Sequence, residues 1–364
     1  MWDAIIAGAG PAGAVAAHVL AQNGRRVLLA DAIDVSQHEV SEHDAREHKV
    51  GETLPGAAVR LLRSLALPVS TGEGPHHPIG GNLSSWNSEE LVATDFIHDP
   101  DGPGWRLDRL RFDATLRESA IRSGAIFKAA SVVEVARRGQ LWHVKFHDGG
   151  DLTAHWLIDA TGRRAAMARR LGAKRNCDTP LIALYALGKP KAGRWLNRTV
   201  VEAVPGGWWY AAFLPSGAPI AGLHVRPQDA ARLSTTSGAW HQALLETRHI
   251  SAMFSNATFG HPLPPLDASG AHLNPVVGDQ WIACGDAALS FDPLSSQGIF
   301  SALHGGMTAG LAVAAALRGD RTLMDSYAAR LSEIRRIYLA RLRSIYRSES
   351  RWPTEPFWST FGTW

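Results

Sequence analysis

Short unbroken apolar runs, each bounded by glycine or charge, alternate with longer stretches of helical period through the first part of this chain. Residues 3–7 read as a short strand buried on both faces. A glycine-rich turn over 8–13 follows, then an alanine-rich helix over 14–23 that Gly24 stops. Residues 26–31 return as a second buried strand, so the chain opens with a βαβ layout. Apolar positions Val59, Leu61, Leu62 and Leu65 mark a helix after Gly56, and 107–123 reads as another. Strands are expected near 125–136, 140–147 and 151–159. Between 180 and 226 apolar and polar residues alternate over several runs separated by Pro and Gly, which predicts an antiparallel sheet. Residues 229–251 read as helix, 281–285 as one more buried strand, and 297–317 as a long helix rich in Ala and Gly. A last helix over 326–347 places Tyr327, Leu331, Ile334, Tyr338, Leu342 and Ile345 on one face, with arginines around the rest. The polar, His-rich stretch 34–50 and the cluster at 68–82 read as loops, with His43, His48, His76 and His77 solvated.

These elements predict an α/β fold. A discontinuous Rossmann-like nucleotide domain takes 1–70, 102–170 and 270–320. An inserted antiparallel β-sheet domain, expected to hold the substrate, takes 71–101 and 171–269. A helix and an aromatic tail make up 321–364. At 364 residues the chain can bury a full core. Its 37 Lys and Arg against 34 Asp and Glu leave a net charge of +3, which argues against nucleic acid as a partner. Two cysteines without metal-ligand spacing suit a reducing cytosol and give no metal site. No uninterrupted run of 18 apolar residues and no leader pattern are present, so a cytoplasmic protein without a transmembrane segment is expected.

The candidate chemistry begins at Gly8-Ala-Gly-Pro-Ala-Gly13. In a strand–turn–helix, Gly8 permits the turn, Gly10 lets the backbone approach a pyrophosphate, and Gly13 lets helix pack on strand. Pro11 and Ala12 complete the turn, and the helix start offers free N–H groups to phosphate. Asp31 ends the second strand, where a carboxylate can accept from ribose hydroxyls. A second glycine-rich segment, Cys284-Gly-Asp-Ala through Asp292-Pro-Leu-Ser-Ser-Gln-Gly-Ile299, lies near the other end. The two segments together imply FAD held by both ends of the chain.

At these residues the chain resembles the FAD-dependent monooxygenase superfamily with the para-hydroxybenzoate hydroxylase type fold and its glutathione reductase type FAD domain. Asp108-Arg-Leu-Arg-Phe-Asp113, Asp159-Ala-Thr-Gly162 and Gly285-Asp286 carry the resemblance. Val50-Gly-Glu52 and Asp292-Pro-Leu294 are similar to the branch of tryptophan halogenases and geranylgeranyl reductases. Gly207-Trp-Trp-Tyr210 and the tail resemble flavoproteins that mature tryptophylquinone cofactors. The resemblance implies Arg109 near the FAD pyrophosphate, Asp286 at the ribityl and pyrophosphate region, and Gly298 and Ile299 beside the flavin pyrimidine ring. It also counts Val133, Gly162, Gly285 and Pro293 among the cofactor-binding positions. Gly298 would open a helix whose positive end favours negative charge on reduced flavin.

The activity so implied is a monooxygenase that hydroxylates an aromatic, such as an indole or a tryptophan in a partner protein, through a flavin C4a-hydroperoxide. Electrons would come from NAD(P)H or from a partner flavin reductase. Trp208 and Trp209 adjoin on one strand, so they face opposite sides; Trp209 is taken as the residue over the flavin. His224, on a neighbouring strand, is the candidate acid or base near neutral pH. Glu52 reads either as a helix N-terminal charge or as a site residue. Halogenation is the alternative, against which stand the absence of any Lys between Lys49 and Lys128 and of the halogenase Trp-x-Trp-x-Ile-Pro pattern. An alkene reductase and a flavin-binding protein without turnover complete the alternatives.

Overall fold

The first apolar run forms strand β1 (Trp2–Ala7), followed by helix α1 (Pro11–Gln22) and strand β2 (Val27–Asp31). In this computed structural model residues 1–32, 49–68, 74–189 and 196–362 are described. Most of the 34–50 loop, with His43 and His48, lies outside the described residues, as do 363 and 364. Helix α1 starts three residues earlier than its alanine pattern suggests, because Pro11 presets the backbone for the first turn and Gly10 takes the cap position.

Strand β1 pairs in parallel with β2 on one side and with β3 (Asp151–Asp159) on the other. Strand β3 in turn pairs in parallel with β8 (Trp281–Ala283). Such strands are covered on both faces, which is why they read as continuous apolar runs. One sheet thus gathers residues from both ends of the chain. The antiparallel strands Val132–Arg138 and Leu141–Phe146 extend it beyond β3. Helix α4 (Gly298–Ala316) packs on α1 so closely that a side chain at Gly306 would overlap the Ala12 carbonyl. Among the described residues α4 alone is long and apolar enough to cross a membrane, and here it lies in the core against α1.

The predicted antiparallel sheet consists of β4 (Ile182–Lys189), β5 (Arg198–Val204), β6 (Gly207–Phe213) and β7 (Pro219–Val225), in the order β4-β7-β6-β5. Residues Gly81–Ser85 join its edge in parallel with β5. One face is covered by Pro227–Thr235, Ala239–Leu245 and Ile250–Met253. The single helix expected over 229–251 is therefore broken. The chain turns extended at Thr236 and passes Gly238 at φ +75.

The other face meets helix α5 (Thr322–Ser348) and the short α6 (Pro356–Gly362). Tyr327, Tyr338 and Leu342 of α5 are buried as its pattern implies, whereas Ile345 is 42% exposed and its neighbour Tyr346, outside the expected stripe, is buried instead. Phe357 and Trp358 of the aromatic tail are buried on the sheet, with Trp358 Nε1 donating to the Val204 carbonyl at 3.0 Å.

Candidate active site

The glycine turn after β1 is shaped for close backbone approach. Gly8 sits at φ +102, and side chains at Gly8 or Gly13 would overlap the Ala160 and Gly8 carbonyls respectively. A side chain at Gly10 would instead project into open space at the start of α1. Among the described residues no side chain caps that helix start, so its first N–H groups are left for an anion. Asp31 Oδ2 accepts from Ala9 N at 2.6 Å and ties the turn to the end of β2. A dinucleotide pyrophosphate fits this cradle: open space at Gly10 and uncapped donors together.

The second glycine-rich segment meets the first across a cavity of about 370 Å³, whose wall includes Gly10, Pro11, Ala12, Asp286 and Gly298. Two arginines clamp this segment. Arg163 donates to the Ser269 and Phe291 carbonyls at 2.6 and 2.9 Å and stands 3.5 Å from the Asp286 carboxylate. Arg175 donates to the Asp286 carbonyl at 3.0 Å and to Ser290 Oγ at 2.7 Å. Desolvation pushes the Asp286 carboxyl up, against the pull of Arg163, Arg175 and Arg109. Helix α4 begins at Gly298 in the cavity wall, and the buried Ile299 lines the cavity beside it. Arg109 lines the cavity, but its guanidinium is engaged by the Val50 and Gly51 carbonyls at 2.9 and 2.8 Å.

Strand register fixes which side chains of the second sheet reach the cavity. Trp208 pairs with His224, and both Tyr210 and Tyr185 pair with Gly222. With a period of two, Trp208, Tyr210, His224 and Tyr185 share one face with Thr199 and Val201. All six line the cavity. Trp209, expected over the flavin, lies on the opposite face. There it packs edge-on against Trp240 at 5.1 Å and lines no part of the cavity. Adjacent strand residues must diverge, and the register selects Trp208 for the site.

His224 is stacked on Trp208, with ring centroids 3.7 Å apart and planes 3° from parallel. Burial pushes its imidazole down to about 3, so it is neutral near pH 7 and does not titrate where its residue type suggests. The Tyr185 hydroxyl lies 3.0 Å from its Nε2, and burial pushes that phenol well up, so Tyr185 keeps its proton; which partner donates follows from the His224 tautomer. Among the described residues Nδ1 meets no partner of hydrogen-bonding geometry.

Two further networks escaped the sequence reading. Arg106, 1% exposed, donates to Thr53 Oγ1 at 3.0 Å, the Tyr210 hydroxyl at 2.7 Å and Thr199 Oγ1 at 2.8 Å. Tyr210 in turn donates to Glu52 Oε2 at 3.1 Å. Glu52 therefore belongs to the cavity wall, four residues ahead of the helix Gly56–Ser64, and is no helix N-terminal charge. The second network starts at Trp208 Nε1, which donates to the Tyr346 hydroxyl at 3.0 Å. That hydroxyl donates to Asp292 Oδ2 at 2.8 Å, and Asp292 N donates to the Tyr338 hydroxyl at 2.8 Å. Burial pushes Asp292 up to about 6, despite hydrogen bonds from Leu294 N and Tyr346. Spacing alone gave no signal for either network, because their members are separated by up to 158 residues.

Of the other expected positions, Gly162, Gly285 and Pro293 are brought to the cavity or directly behind it. Val133 is not. It is 40% exposed on the strand Val132–Arg138, away from the cavity wall. His76, expected in solvent, is buried and accepts from Asp108 N at 3.1 Å.

Comparison with known proteins agrees with this fold. A family model described as tryptophan halogenase matches residues 99–362. The putative FAD-dependent oxidoreductase LodB of Marinomonas mediterranea is 29% identical over 373 residues, spanning 98% of this chain and 96% of its own. The flavin-dependent halogenase armH3 of Armillaria mellea is 26% identical, over 92% of this chain and 72% of its own. Among solved structures, the myxobacterial chondrochloren halogenase CndH has a TM-score of 0.86 at 22% identity, covering 99% of this chain and 85% of its own. The peptidyl tryptophan dihydroxylase QhpG has a TM-score of 0.72 at 23% identity, covering 99% and 78%. These two likenesses establish the shared fold. With the family model matched over most of its length, the chain belongs to the tryptophan halogenase family and is an FAD-dependent oxidoreductase.

Proposed function

We propose that this protein inserts oxygen into an electron-rich aromatic, an indole or a tryptophan side chain presented by a partner protein. The observation that supports this reading most is the aromatic face of β4, β6 and β7, which closes the cavity opposite the start of α4. FAD bound in the cradle would supply the oxidising chemistry once reduced, by NAD(P)H or by a reductase. The chain's residues do the rest. Trp208 and Tyr185 wall the cavity against water, which such chemistry needs. Arg106 holds the Tyr210 hydroxyl and Thr199 in place for a polar edge of the substrate. Asp292, with a carboxyl near 6, can exchange a proton close to neutrality, which His224 at about 3 cannot.

Halogenation is the second reading, favoured by the family model and by relatives such as the Armillaria halogenase. Against it, no lysine lines the cavity among the described residues. The two readings separate in one experiment. Reduced, FAD-loaded protein is given oxygen and free indoles or tryptophan-bearing proteins, with and without chloride or bromide. Product gaining oxygen irrespective of halide supports oxygenation. Product gaining halogen only when halide is present would establish halogenation and remove our reading.

A further inference from the structure

Beside the flavin cavity, one short stretch of chain is dense in cations. From Arg163 to Arg175 the chain carries six Lys and Arg and no Asp or Glu, although its overall charge is only +3. The fold turns this stretch into the wall of an open groove of about 810 Å³, lined by Arg164, Arg169, Arg170, Lys174, Arg175 and Asn176 among others. No acidic side chain lines the groove among the described residues. Arg164, Arg169 and Lys174 are exposed and have no ion-pair partner among the described residues.

The frame that presents these cations is fixed. Helix α3 (Ala166–Arg170) is pinned by the buried Asp159, whose Oδ2 accepts from Met167 N and Ala168 N at 2.9 and 2.7 Å. Thr161 Oγ1 accepts from Ala166 N at 2.7 Å. The helix start is thus already satisfied, and only side chains are left to face the groove. Arg175 joins the groove to the flavin site, since its guanidinium holds the Asp286 carbonyl and Ser290 Oγ. Like charges gathered on a rigid frame repel one another and cost stability unless an anion neutralises them. Guanidinium groups match phosphate oxygens in a paired geometry, and a concave polar groove suits a small polyanion.

The geometry points to a binding groove for a diphosphate-bearing small molecule, beside the flavin cavity and separate from it. Nicotinamide dinucleotides and adenine nucleotides share that chemistry. The groove does not depend on which aromatic substrate the enzyme oxidises.

The test uses FAD-loaded protein titrated with inorganic pyrophosphate, ADP, NADH and NADPH by calorimetry, at low and raised salt. The comparison is the double variant Arg169→Glu/Lys174→Glu, with Arg164→Gln/Lys174→Gln as a milder pair should the first fail to fold. At least one probe should saturate at low salt. Its dissociation constant should rise at least tenfold in the charge-altered protein, and rise again with salt, while flavin occupancy stays unchanged. A dinucleotide binding far more tightly than pyrophosphate identifies a nicotinamide ligand; equal binding identifies the phosphates as the whole epitope. No saturable binding by any probe, or binding indifferent to both pairs of substitutions, overturns the assignment.

Discussion

Replacing Asp292 by Asn exposes the cost of holding a carboxylate in the cavity wall. Asp292 is fully buried, with Oδ1 accepting from Leu294 N at 2.9 Å and Oδ2 from the Tyr346 hydroxyl at 2.8 Å. Even so, burial pushes its carboxyl from 3.8 up to about 6. The folded protein therefore holds this proton more tightly than the unfolded chain does. The contribution to stability is fully present below about pH 4 and is lost as pH rises through about 6. Its full size is on the order of 3 kcal/mol, of which about 2 kcal/mol falls between roughly pH 4.5 and 8. Asn keeps the acceptor for Leu294 N and has no proton to lose. The stability of the natural protein relative to Asp292→Asn should thus fall by about 2 kcal/mol as pH rises over that interval. Urea unfolding followed by tryptophan fluorescence, at a series of pH values, measures it. Other titrating groups cancel in the difference because they are common to both proteins. A difference that is flat, or that grows in favour of Asp292 with rising pH, would refute the reasoning.

The other expectations concern the cradle, the sheet face, the buried arginine and the tail. Gly13→Val places a branched side chain into the Gly8 carbonyl, so FAD affinity should fall at least about tenfold, some 1.4 kcal/mol; purified protein with full flavin absorbance would contradict this. Trp208→Phe removes the indole donor to Tyr346 and should change bound-flavin fluorescence, whereas Trp209→Phe should leave it unaltered and act on unfolding alone. The single nitrogen of Arg106→Lys cannot reproduce the two-nitrogen fork that reaches Thr53, Tyr210 and Thr199, and the change should cost about 3 kcal/mol in urea unfolding. Trp358→Ala empties a buried site against β5 and should cost about 3–5 kcal/mol, read from the same unfolding curves.

What could be read in the sequence was what is local. The βαβ opening follows from residues near one another: a buried strand, a turn that only glycine can make, and a helix packed too closely for a side chain at position 13. The parallel strands announced themselves as apolar runs because both faces are covered, and the second sheet as alternation because its two faces differ. The divergence of Trp208 and Trp209 was equally legible, being a property of any strand. Which of the two enters the cavity was not, since that depends on pairing Trp208 with His224 and Tyr210 with Gly222, partners set by the turn between β6 and β7. His224 shows the same limit in electrostatic form. Residue type suggests titration near neutrality, but full burial against Trp208 moves it to about 3, and burial is a property of the assembled sheet.

The C-terminal helix carries this point furthest. Its arginines and its apolar stripe describe an amphipathic helix covering a domain, and nothing in that pattern assigns it to the site. Yet Tyr338 and Tyr346 of α5 supply two of the hydrogen bonds that fix Asp292, and Tyr346 also anchors the Trp208 indole. Trp86 and Trp358 then pack edge-on against one another at 5.3 Å behind Tyr346, with Trp86 meeting that ring at 5.8 Å. Aromatic side chains with a polar tip are suited to this position, because the ring fills the core while the hydroxyl satisfies a buried carboxylate. The aromatic tail holds α5 against the sheet, α5 holds Asp292 and Trp208, and these two stand in the wall of the flavin cavity. The tail thus supports the cavity wall through two layers of packing, which is why its composition could signal burial but not position.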